Sequence, residues 1–119
     1  MDLYRENILD HYKHPRNFGH LDGANVVSEE VNMSCGDKIR IEILLDDKMI
    51  KDIRFSGEGC AINQASASML TEKVKDMSSD EIMKLELKDV EHLLGTTLTP
   101  SRVKCALLPL EAIQKAIQS

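Results

Sequence analysis

Residues 37–60 read DKIRIEILLDDKMIKDIRFSGEGC, and their alternation decides the fold. Ile39, Ile41, Ile43 and Leu45 fall on one side of an extended chain and Lys38, Arg40 and Glu42 on the other. This period-two pattern predicts a half-buried strand over residues 38–45. Asp46-Asp47-Lys48 is turn chemistry, and residues 51–56 then set Ile53 and Phe55 against Asp52 and Arg54. The two runs therefore read as an antiparallel hairpin, ended by Gly57 and Gly59.

Downstream of Cys60 the period changes. Ile62, Ala65, Ser66, Met69, Leu70, Val74 and Met77 share one helical face. Upstream, the valine-rich residues 24–31 predict a first strand. Residues 2–13 predict a helix with a stripe of Leu3, Ile8, Leu9 and Tyr12, stopped by Pro15 because the residue before proline is pushed out of the helical region. Ser78 and Glu81 are spaced as a capping box, and residues 88–94 make a further helix with Gly95 as its stop. Thr99 and Pro100 suit the cap and first turn of a last helix, whose stripe is Val103, Ala106, Leu107, Leu110, Ile113 and Ile117. The expected class is α+β, a small three-stranded antiparallel sheet packed with helices, in a single domain over residues 1–119.

The chain has 119 residues and a net charge of -5. That balance argues against a nucleic-acid partner, which would need clustered Lys and Arg. No run approaches the ~20 apolar residues of a membrane span, and the polar start MDLYRE lacks the apolar stretch of a secretion signal, so a cytoplasmic protein is expected. Three cysteines cannot all pair internally, and a reducing compartment would keep them as thiols.

Each cysteine falls at a junction. Cys35 lies in a polar turn before Gly36, Cys60 where the hairpin gives way to a helix, and Cys105 in the first turns of the last helix. Any one of them alone reads equally well as a small core residue. Together their settings favour chemistry. Cys35 and Cys60 belong to no apolar stripe, and Cys105 lies about 130° from the centre of the stripe on its helix, predicting that it faces away from the core. Pro109 cannot donate to the carbonyl of Cys105 and is expected to kink or restart the helix. At a helix start, Cys60 would have exposed amides and a dipole that favour negative charge on sulfur.

Three sulfurs fall one short of the usual four for zinc or an iron-sulfur cluster. Asp37, two residues after Cys35, is the nearest fourth ligand; its oxygen is harder than a thiolate and would hold a soft centre less permanently. His11, His14 and His20 cluster in the N-terminal segment; a histidine triplet can bind metal, but the pair flanking Pro15 is expected on a solvated helix end, and Met69 and Met77 are expected in the core.

Four stretches carry a resemblance that spans nearly the whole chain: YRENILDHYKHPRNFG at residues 4–19, NMSCGDKIRIEI at 32–43, FSGEGCAINQASASMLTE at 55–72 and TPSRVKCALLPLEAI at 99–113. In them the chain resembles the IscU, SufU and N-terminal NifU family of iron-sulfur scaffold proteins. The resemblance implies that Cys35, Asp37, Cys60 and Cys105 hold a [2Fe-2S] cluster. Iron and persulfide sulfur from a cysteine desulfurase would build it, and apo iron-sulfur acceptor proteins would receive it. It implies a carrier rather than an enzyme, with Cys105 as the sulfur acceptor, and leaves open whether one chain holds the cluster or several copies share it.

The chain also departs from the family. Lys104 stands where IscU proteins have a histidine, as in SufU, the zinc-binding branch. Yet the insertion SufU has between its second and third cysteines is missing here. The chaperone-recognition segment Leu-Pro-Pro-Val-Lys is replaced by Leu98-Thr99-Pro100-Ser101-Arg102-Val103-Lys104, and Met33 replaces a common proline. Two other readings of the same four residues remain: a sulfurtransferase dependent on Zn²⁺, and a purely structural zinc module, which the size of the core disfavours.

Overall fold

The computed structural model describes residues 3–34 and 36–118. In chain order the elements are α1 (Leu3–Lys13), β1 (Val26–Asn32), β2 (Asp37–Asp46), β3 (Met49–Glu58), α2 (Ala61–Val74), α3 (Ser79–Met83), α4 (Leu87–Leu94) and α5 (Pro100–Gln118). The three strands form one antiparallel sheet in the order β1-β2-β3, giving the α+β architecture the alternation predicts.

The hairpin register pairs Ile43 with Ile53 and Ile41 with Phe55, and all four side chains are fully buried against the helices. Its two-residue turn, Asp47-Lys48, has φ of 51° and 66°, the left-handed pair that matches the twist of the flanking strands. One polar position breaks the alternation. Glu42, on the opposite face, is buried under the segment after α1, with His20 Nδ1 at 2.8 Å and the Leu21 amide donating to it at 3.3 Å. Burial would raise its carboxyl, but these hydrogen bonds, with the charges of His20 and Arg40, hold it below the ordinary carboxylate value.

The free edge of β3 is covered at both ends. Phe55 donates its amide to the Asn17 carbonyl at 2.9 Å and accepts from the Gly19 amide at 2.8 Å. Further along, Ile50 exchanges hydrogen bonds with Met77 and Asp76. At the other side of the sheet, β1 pairs with β2 alone and keeps its outer edge.

Two expectations need correction. The stripe after Cys60 predicts a helix with one buried face, but α2 is buried at every position from Ile62 to Thr71, packed among α1, α4, α5 and β3. Met77 lies past its end. On α1, Leu9 and Tyr12 are 40% and 45% exposed, while His11 is 7% exposed and turned inward. The inward position of His11 is secured by a hydroxyl on α2. Ser68 Oγ accepts the Arg16 amide at 2.9 Å and shares a hydrogen bond with His11 Nδ1 at 2.7 Å. His14 and His20 are exposed, as expected.

The short helices follow their local signals. Ser78 and Glu81 close the capping box on α3, and Gly95, at φ 79°, ends α4 in the left-handed conformation.

The His11 contact makes a prediction. Burial first, then the Arg16 guanidinium, holds the His11 pKa below its ordinary 6.5, against the pull of Glu72 and Asp10. The unfolded chain binds this proton near 6.5 and the folded chain only at lower pH. The stability supported by the neutral ring is therefore full above 6.5 and is lost as the pH falls from there through the folded value. Urea unfolding at about pH 7.5 and about pH 5 checks this: the advantage of the wild type over His11→Gln narrows at the lower pH, and an equal gap at both would contradict it.

Candidate functional site

Three of the four expected site residues meet where the ends of β2, β3, α2 and α5 converge. One ligand atom each from Asp37, Cys60 and Cys105 lies within 4.8 Å of the others. The fourth, Cys35, lies outside the described residues. Among the described residues nearby, the Gly36 amide donates to the Asn32 carbonyl at 2.9 Å and the Ser34 amide to Asn32 Oδ1 at 3.0 Å.

Asp37 opens β2 opposite Asn32 and is 1% exposed. Its Oδ1 accepts the Cys60 amide at 3.1 Å, so the carboxylate is fastened to the residue that starts α2. Cys60 is the N-cap of that helix: its backbone is extended (φ -70°, ψ 170°) and its sulfur accepts the Asn63 amide at 3.5 Å. The sulfur thus stands over the exposed amide end of a fourteen-residue helix, where negative charge is stabilised. Cys60 is exposed to solvent.

Cys105 departs from expectation. Its offset from the apolar stripe predicts a side chain facing away from the core, yet it is 7% exposed. The reason is that α5 is covered on two sides, by α2 and by β1 and β2, so a residue off one stripe is buried against the other neighbour. Pro109 does not restart the helix, which runs unbroken from Pro100 to Gln118. The Cys105 carbonyl, denied a helical donor by Pro109, instead accepts from Asn63 Nδ2 at 3.2 Å.

The glycine before Cys60 has a steric reason. A Cβ on Gly59 would lie 2.6 Å from Asn63 Oδ1 and 2.9 Å from Asp37 Oδ1, so any side chain here would push the carboxylate and α2 apart. Gly57, at φ 135°, brings β3 so close to β2 that a Cβ would sit 2.0 Å from the Lys38 carbonyl oxygen. Sequence reasoning took Gly57 and Gly59 as the end of the hairpin; the structure uses both for close backbone approach. Sequence reasoning missed Asn63 altogether. The available signal was a polar residue three places after the helix-starting cysteine, where the amide turns back to the cap.

The donor set is two sulfurs and one carboxylate oxygen, with an exposed flank at Cys60. Thiolates suit zinc and iron-sulfur centres, and a carboxylate adds a harder, more readily exchanged ligand. The residues present therefore fit such a centre, and the exposed flank gives it access to solvent. No helix among the described residues is long and apolar enough to cross a membrane.

The comparisons agree with this architecture. The family model described as the NifU-like N terminal domain matches residues 3–119. The zinc-dependent sulfurtransferase SufU of Bacillus subtilis is 38% identical over 97% of this chain and 89% of its own length. The iron-sulfur cluster assembly scaffold protein IscU of Thermotoga maritima is 33% identical over 98% of this chain and 93% of its own. Both align over 132 positions against a chain of 119, so both carry inserted residues that this chain lacks. A crystal structure from Fervidobacterium islandicum AW-1, described as a candidate scaffold for the SUF system, superposes with a TM-score of 0.78 at 31% identity, covering 94% of each chain. On this match over nearly its whole length, the chain belongs to the NifU-like N-terminal domain family of iron-sulfur cluster assembly scaffolds.

Proposed function

We propose that residues 1–119 form one scaffold domain, a carrier without turnover of its own. On it a [2Fe-2S] cluster is built from iron and from sulfur delivered by a cysteine desulfurase, then passed to apo iron-sulfur proteins. The observation that carries the reading is the convergence of Asp37, Cys60 and Cys105 within 4.8 Å, at a site open to solvent on the Cys60 side. Cys35, two residues before Asp37, completes the ligand set. With three thiolates and one carboxylate the set is complete within one chain, and sharing between copies is not required.

Cys105 is the sulfur acceptor in this reading. Its thiolate attacks the terminal sulfur of the donor's persulfide; a sulfur-sulfur bond forms on Cys105, the donor's breaks, and the donor cysteine leaves as thiolate. An external reductant then supplies the electron pair that turns each delivered sulfur into sulfide. Because Cys105 is nearly buried, sulfur reaches it from the open side at Cys60. Asp37 supplies the exchangeable ligand, a hard oxygen on a soft centre. Thiol chemistry of this kind belongs in a reducing compartment, and we assign the chain to the cytoplasm, with neither nucleic acid nor membrane as partner.

A second reading, a sulfurtransferase dependent on Zn²⁺ held by the same residues, is favoured by Lys104 directly before Cys105.

Metal and acid-labile sulfide analysis, with a visible spectrum, separates the two on protein purified without oxygen and reconstituted with iron and a desulfurase. The scaffold holds iron with matching sulfide and shows a sulfur-to-iron charge-transfer spectrum. Tightly held zinc that resists iron, with persulfide accumulating on a cysteine, would establish the sulfurtransferase instead. Cys105→Ser is expected to abolish persulfide labelling by the desulfurase, and labelling at the wild-type rate would remove Cys105 as acceptor. Asp37→Ala is expected to slow cluster transfer to an apo-ferredoxin, since the site then closes around sulfur or water; unchanged kinetics would exclude a role for Asp37 in release.

A further inference from the structure

Asn63 is fully buried, and its polar groups reach both described cysteines. Its backbone amide donates to Cys60 Sγ at 3.5 Å, and its side-chain Nδ2 donates to the Cys105 carbonyl at 3.2 Å. Its Oδ1 accepts from Gln64 Nε2 at 3.0 Å and faces Asp37 across Gly59, where a Cβ would meet both side chains. One residue therefore adjoins all three groups of the cluster.

The bond to Cys105 is special because of Pro109. In a regular helix the carbonyl of residue 105 would accept the amide of residue 109; proline has none, and its ring crowds the same carbonyl. One residue further along α5, the Ala106 carbonyl accepts from Ser66 Oγ at 2.7 Å, but there Leu110 retains an amide to offer. Only at Cys105 does the helix give up its own donor and take one from α2.

We infer that Asn63 is the positioning residue that holds the Cys105 turn of α5 in place by answering the carbonyl that Pro109 deprives of its helical donor. The inference rests on the metal-site reading only for its second measurement. The first uses metal-free protein.

Asn63→Ala removes the side-chain donor and keeps the backbone amide. The rate at which iodoacetamide alkylates Cys105 in the metal-free protein, followed by mass spectrometry with Cys60 as internal reference, is expected to rise about tenfold. Zinc affinity by chelator competition is expected to fall about tenfold, the low end of what partners behind metal ligands contribute. Pro109→Ala returns an amide to the Cys105 carbonyl, so the double variant N63A/P109A is expected to recover towards wild type in both measurements, which general loosening of the core would not produce.

Unchanged Cys105 alkylation in N63A, or no recovery in the double variant, would overturn the inference. Should N63A alone fail to fold, the comparison is made in the Pro109→Ala background. There Asn63 is expected to be dispensable, and a tenfold gap between P109A and N63A/P109A would overturn it equally. Alkylation that follows this pattern in a protein that binds neither zinc nor iron would uphold the positioning role and overturn the metal-site reading.

Discussion

The burial of α2 on every side from Ile62 to Thr71 is the constraint from which the rest of the molecule follows. A helix with no solvent face cannot leave a polar side chain unanswered, because each unpaired group inside costs its full desolvation. Yet α2 carries Asn63, Gln64, Ser66, Ser68 and Thr71, all buried. Asn63 and Ser66 reach the carbonyls of α5, Ser68 holds His11 of α1 and the Arg16 amide, and Thr71 accepts from Asn17. The polar side chains that look misplaced on a core helix thus bind its neighbours to it. Their short lengths also let those neighbours come close.

The site follows from this arrangement. Because the first residue ahead of α2 is Cys60, whatever fixes α2 fixes that sulfur. The Cys60 amide on Asp37 ties the helix start to the sheet, and the Asn63 side chain ties the same turn to α5. Two hydrogen bonds that meet on this one helical turn, from Cys60 to Asp37 and from Asn63 to Cys105, span 23 and 42 positions of sequence and draw the cluster together. An arrangement fixed this way has preset spacing.

Much of this was legible in the sequence wherever the signal was local. Alternation over residues 38–45 and 51–56 found the hairpin, Ser78 with Glu81 found the capping box, and Gly95 found the end of α4. The cysteines and Asp37 stood out through their settings. Elements with two covered sides were misread, since periodicity reports the direction of the stronger apolar face and is silent about a second neighbour. This error gave α2 one face, turned Cys105 outward and left His11 in solvent. Nothing local marks Asn63 as a partner of Cys105, because the missing donor that calls for it lies at Pro109, on another helix.

The uneven treatment of the two sheet edges bears on how the protein behaves in a crowded solution. Segments 17–19 and 76–79 occupy the outer side of β3, so no foreign strand can add there. Among the described strands β1 alone keeps an open edge, and its middle is Glu29-Glu30, with exposed Val27 and Val31 on either side. A second copy adding antiparallel about the strand's centre would bring like carboxylates together. Glu29 and Glu30, ion-paired with Arg40 at 2.6 Å and Lys115 at 2.9 Å, put charge rather than a covering segment on that edge, which disfavours strand addition there.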